Sequence, residues 1–183
     1  MSNDYVDVEI VPEMLTAAAA VEKDIRVHRT RASNVDALAG AIGELCFAEW
    51  FLGNWRWHDL TGTKGRADFL DRIEVKTSAF PFRDTLNLLV REDYAQKRQP
   101  ECYVQTIIDT PDRYAKSIEP GWICRLSGWT DAAAVDRAPL KDFGSKSGGR
   151  GGYRCRYIQI RNLRPMSEFP IARPAAAPIR PLG

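Results

Sequence analysis

Read for the spacing of its apolar positions, the chain begins with helical stretches and then breaks into short alternating runs. Pro12 followed by EMLTAAAAVEKDIRVHR has the composition of a first helix, with good helix formers and a charged second half. Asn34 stands where an N-cap would, before a second helix, VDALAGAIGELCFAEWFLG, that ends at Gly53. Val35, Leu38, Ile42, Leu45 and Leu52 trace one stripe of it while Phe47 and Phe51 lie on another side, so cover is expected on more than one face. Between Ala37 and Gly53 its only charges are Glu44 and Glu49. NWRWHDL, RADFL and IEVKTS then read as three short strands, and TLNLLV as a fourth. REDYAQKRQ gives a short polar helix, CYVQTIID and GWICRLSGW two strands, TDAAAVDR a short helix, and YRCRYIQI a last strand beyond the flexible loop GSKSGGRGG. No repeat or second domain is visible, so residues 1–169 are read as one domain and 170–183 as a Pro/Ala-rich tail that packs loosely or not at all.

One stretch breaks the alternation with charge. In KGRADFLDRIEVKTS, residues 64–78, a two-residue turn at Asp71-Arg72 would set Phe69 opposite Glu74 and Asp68 opposite Val75, mixing charge with core on both faces. A three-residue turn, Leu70-Asp71-Arg72, sets Phe69 opposite Ile73 and Asp68 opposite Glu74. Phe69, Ile73 and Val75 then share the apolar face, and Asp68, Glu74 and Lys76 share the other. Two carboxylates facing each other repel unless a cation or a proton lies between them, so this register suggests a divalent metal site. Oxygen-only ligands favour magnesium or manganese over zinc.

Asp68, five residues, then Glu74-Val75-Lys76 resembles the PD-(D/E)xK nuclease superfamily, which includes many restriction endonucleases, Holliday-junction resolvases and repair or phage nucleases. The upstream helix carrying Gly43-Glu44 looks like the first core helix of those proteins, and the order of elements from Val35 to Asp109 looks like their common core. Ala67 stands where the superfamily's name has proline, and no one subfamily is matched. The resemblance implies an α/β fold of restriction-endonuclease-like type, a mixed central sheet flanked by helices. It also implies a metal-dependent nuclease, with DNA the expected substrate. Asp68 and Glu74 would hold Mg2+ or Mn2+ with the backbone carbonyl of Val75, Glu44 would bind the metal or a water in its shell, and Lys76 would orient the attacking water and offset charge on the phosphate. Many members dimerise to cut two strands, so a homodimer is an assembly the resemblance allows.

Composition narrows the class without choosing the function. Over 183 residues, 44% hydrophobic and 27% charged, one globular domain is expected. No secretory leader or membrane-length apolar run is visible, and Cys46, Cys102, Cys124 and Cys155 form no CxxC pair; a cytoplasmic protein with reduced thiols is the expectation. The net charge is only +2, yet Ser145 to Arg164 holds Lys146, Arg150, Arg154, Arg156, Arg161 and Arg164 with no acid. Lys146, Arg150, Arg154 and Arg156, with Lys64 and Arg66 beside the motif, are candidate nucleic-acid contacts, or else solvated surface charge. His28 and His58 lack a partner motif; His58 reads as a strand-end pair with Asp59. Trp122 and Trp129 read as packing residues. Two alternatives stay open: a non-catalytic nucleic-acid-binding or adaptor protein that uses the basic block and keeps the acidic pair as a relic or structural feature, and an α/β enzyme for small phosphorylated substrates with a deep pocket.

Overall fold

The computed structural model describes residues 4–25, 34–61, 66–93, 100–143 and 153–175. Along the chain run β1 (Val6–Glu9), α1 (Pro12–Ile25), α2 (Asn34–Leu52), β2 (Ile73–Phe80), β3 (Asn87–Arg91), β4 (Cys102–Asp109), β5 (Ile123–Asp131), α3 (Ala132–Arg137), β6 (Leu140–Phe143) and β7 (Tyr153–Gln159). They form a mixed α/β architecture with two sheets. The first has the order β1-β5-β4-β2, with β2 parallel to β4 and the other neighbours antiparallel; the second is antiparallel, in the order β3-β7-β6.

The expected mixed sheet is present, but the expectation that helices flank it on both sides is corrected. α1 and α2 cover one face of the first sheet, and much of the cover on the other comes from the second sheet. β4 explains why both covers exist: Cys102 to Ile108 are all buried, so the strand has no wet face. Its Cys102 and Val104 pack with Phe47 and Phe51 of α2, while Tyr103 and Ile107 pack with Leu88 and Val90 of β3 and with Val135, Ile160 and Leu163. β3 pairs with β7 and so leaves the sheet that holds β2.

α2 is covered on more than one side, as its two stripes require. Phe47, Ala48 and Phe51 meet Ile73, Val75 and Leu126, whereas Ile42, Leu45 and Cys46 meet Ile10, Met14 and Ala18. Between these patches Gly43 lies directly against Thr77 and Thr106, whose hydroxyls hydrogen-bond to each other at 2.9 Å. Gly53, at φ 80°, ends the helix, its N–H donating to the Glu49 carbonyl at 3.1 Å.

NWRWHDL is not a strand but carries a 3-10 turn, Trp55–Trp57. Polar groups nearby favour it: the Asn54 side chain accepts from the Arg56 N–H at 3.0 Å, and Glu49 Oε2 from the Trp55 N–H at 2.9 Å. RADFL makes only the bridge Phe69 to Ile73. β1 and β6 are additions to the sequence reading; β1 pairs with β5. The chain after Phe169 does not hang loose at its start, because Phe169 packs against Trp50 and Trp129 and Ile171 is buried in the same cluster. Residues 26–29 of the first expected helix, 94–99 of the polar helix and 176–183 of the tail lie outside the described residues. All four cysteines are buried with free thiols. No helix among the described residues is long and apolar enough to cross a membrane.

Gly43→Val tests the helix–sheet contact. A Cβ there would overlap the Thr77 side chain, so the substitution should cost about 1–3 kcal/mol, read as a lower urea midpoint. Gly40→Ala, where an added Cβ meets nothing within 4 Å, should instead leave the midpoint unchanged or raise it. Equal effects at the two glycines would show that close approach at Gly43 is unimportant.

Candidate active site

The motif folds in the three-residue-turn register. Phe69 pairs antiparallel with Ile73, and their backbones exchange hydrogen bonds, each of 3.0 Å. Leu70 and Asp71 take φ of 54° and 59°, the sign pattern of a type I′ turn, although neither is glycine. Phe69, Ile73 and Val75 enter the core beneath α2. Asp68 is thereby carried alongside β2, where its Oδ2 accepts from the Val75 N–H at 2.8 Å.

Four predicted residues are brought together. Asp68 and Glu74 are buried, at 9% and 4% exposure, and Lys76 Nζ lies 2.7 Å from Glu74 Oε1. From α2, Glu44 comes close enough for its charge to act on Asp68. Burial, then Glu44, then Glu74 push the Asp68 carboxyl from its usual 3.8 up to about 8, against the opposing pull of the Val75 N–H and of Lys76. A protein donor engages each carboxylate: His58 at Glu44 Oε2, the Val75 N–H at Asp68 Oδ2 and Lys76 at Glu74 Oε1.

The fit to a metal divides into chemistry and geometry. Three carboxylates, one of them pushed well above its normal range by burial and then by the other two, form an oxygen donor set suited to a hard divalent cation. As the side chains stand, no group of three or more His, Cys, Asp or Glu among the described residues is arranged to hold a metal ion. The donor types fit, then, and the side chains are engaged with protein donors instead.

Other predicted contacts are more scattered. Lys64, Lys146, Arg150 and His28 lie outside the described residues. Arg66 is exposed and pairs with Asp71 across the turn at 3.1 Å. Arg154 lies 3.7 Å from Glu92, and Arg156 donates to the Ala138 carbonyl at 2.7 Å. Trp129 packs as expected, its Nε1–H donating to the Pro165 carbonyl at 3.1 Å.

Three residues not singled out as parts of the site also reach it. His58 bonds Glu44 rather than Asp59, whose Oδ1 accepts instead from the N–H and hydroxyl of Thr61. On β4, Tyr103 is in register with Glu74 and Gln105 with Lys76. Burial and then Glu74 raise the Tyr103 hydroxyl to about 12. Gln105 is 1% exposed and its Nε2 donates to the Thr106 carbonyl at 2.8 Å. A glutamine inside the otherwise apolar run around it was the signal available in the sequence; His58 gave none, because its partner is supplied by a turn that resembled a strand.

No protein-family model, curated protein or solved structure matches the chain.

The perturbed carboxyl makes a pH prediction. Asp68 binds its proton more tightly folded than unfolded, so in chelator its contribution to stability is full below about pH 4 and is lost as the pH rises through about 8. Asp68→Asn removes that loss while keeping an acceptor for the Val75 N–H. Melting temperatures from pH 5 to 9 should therefore fall more steeply for the wild type than for the variant; parallel curves would mean that burial and the neighbouring carboxylates do not hold Asp68 protonated.

Proposed function

We propose that this chain is a metal-dependent nuclease that hydrolyses phosphodiester bonds of DNA, built on a restriction-endonuclease-like core formed by α2, the Asp68–Glu74 turn, β2 and its parallel neighbour β4. The observation that carries the reading is the convergence of Glu44, Glu74 and Lys76 on Asp68, whose carboxyl is raised by burial and then by the two glutamates. Isolated surface charge would not be buried to this extent, and burying several carboxylates together is costly unless a cation or proton offsets them.

Asp68, Glu74 and the Val75 carbonyl would hold Mg2+ or Mn2+, with Glu44 a further ligand. When bound, that cation supplies a Lewis acid for the phosphate and a water of lowered pKa. The protein's own parts then have separate tasks. Glu74 and Lys76 alternate with the buried Val75 on β2, so both side chains leave the sheet on the same side. Lys76 is 28% exposed at its side chain and within reach of a phosphate at the site's surface, where its ammonium opposes the negative charge that builds as the water attacks. Asp68, fixed by the Val75 N–H, keeps its orientation through that step. Arg154 on β7 offers a contact to the DNA backbone, which positions a substrate without reading its sequence.

The test is cleavage of linear, circular and branched DNA with Mg2+ or Mn2+. The wild type should cut and lose cutting in chelator, and Lys76→Ala and Asp68→Asn should each lose about 10²–10⁴-fold in rate while melting as folded proteins. Cutting that survives both substitutions, or DNA binding without cutting in either metal, rejects the reading.

A further inference from the structure

The geometry points to His58 as a positioning residue: its ring fixes the Glu44 carboxylate, whose charge acts on Asp68, and so sets how tightly a divalent cation is held, without touching the reacting atoms. This rests on the nuclease reading of the acidic cluster.

His58 is delivered to Glu44 by a chain of specific contacts. α2 stops at Gly53, and the backbone turns back through Trp55–Trp57. Glu49, on the same helix, holds that turn by accepting the Trp55 N–H at 2.9 Å, and the His58 N–H closes it on the Trp55 carbonyl at 3.2 Å. The imidazole thus lies back along α2, with Nε2 2.8 Å from Glu44 Oε2. Its side chain is only 6% exposed, against 21% for Glu44.

The opposite constraint comes from the motif. Phe69, next to Asp68 and paired with Ile73, stacks on the His58 ring with centroids 4.1 Å apart and planes 15° from parallel. One imidazole therefore contacts both carriers of the site, the helix with Glu44 and the turn with Asp68. A ring clamped face-on by Phe69 has little freedom to rotate, so its Nε2 offers a fixed donor direction. Hydrogen bonds that orient a ligating carboxylate act in this way on metal sites. A merely space-filling aromatic would keep the stack without the donor, and this separates the two roles experimentally.

Mn2+ is titrated calorimetrically into the full chain for wild type, His58→Phe, His58→Gln, Glu44→Gln and the double variant His58→Phe/Glu44→Gln, with melting curves in chelator to report folding. Phe keeps a ring against Phe69 and loses the donor; Gln restores a donor near the Nε2 position. His58→Phe should bind Mn2+ about 10–100-fold more weakly, and His58→Gln should recover most of that loss. On the Glu44→Gln background, His58→Phe should have little further effect, since the two residues act as one unit. A folded His58→Phe that takes up Mn2+ like the wild type overturns the assignment, as does a loss of equal size with Glu44 already replaced. If His58→Phe does not fold, His58→Asn, whose amide falls short of Glu44, decides: weakened Mn2+ binding supports the role and unchanged binding ends it. A folded wild type that binds no Mn2+ removes the nuclease reading and this inference together; a wild type that binds and cuts with unaffected His58 variants removes only this inference.

Discussion

α2 lies against β2 and β4 with no side chain of its own at Gly43, where the hydroxyls of Thr77 and Thr106 come up to the helix backbone. That contact sets the height of the helix above the sheet. On either side of it larger residues, Phe47 and Phe51 toward one end and Ile42 toward the other, fill the space that the angle between helix and sheet opens. Glu44 is the next residue after the contact. Its reach toward Asp68 is therefore governed by a backbone held close to the sheet, and the site's geometry is inherited from core packing.

Against that rigid frame stands an electrostatic conflict. Asp68 and Glu74 are buried near Glu44, and an isolated charge in such a place is costly. The protein meets part of the cost with local donors: a backbone N–H for Asp68, an ammonium for Glu74 and an imidazole for Glu44. These donors do not return Asp68 to its ordinary range, since its carboxyl remains raised to about 8. Burial is the first cause of that shift and the charges of Glu44 and Glu74 the next, and on the nuclease proposal a divalent cation would relieve both.

How much of this could be read in the sequence depended on whether the determining contacts were local. The turn register was legible because only one spacing placed Phe69, Ile73 and Val75 on a single face, and α2 was legible from its stripes and its glycine stop. β4 could be recognised as a strand, but its burial on both faces asks for a second cover without saying what supplies it. Sheet membership is a long-range property, and β3 pairs with β7 some 66 residues away. NWRWHDL misled because its alternation mimics a strand, while the contacts favouring a turn come from Asn54 and from Glu49 on the preceding helix. The pairing of His58 with Glu44 spans that same turn and went unseen for the same reason. Phe169 and Ile171 sit at the start of a Pro/Ala-rich stretch, and composition there hid two residues that belong to the core.

The turn at Leu70 and Asp71 holds two L-residues at positive φ, a strained conformation worth roughly 1–2 kcal/mol at each position. The strain is tolerated because this compact turn keeps Asp68 and Glu74 on the same side of the pleat. In a lineage descended from this chain, the letters of the turn are thus free to drift toward glycine or asparagine, which adopt the conformation more easily. Its length is not: one residue gained or lost would turn Asp68 toward the face that carries Phe69, so the interval from Asp68 to Glu74 acts as a ruler whose length, rather than its letters, the register demands.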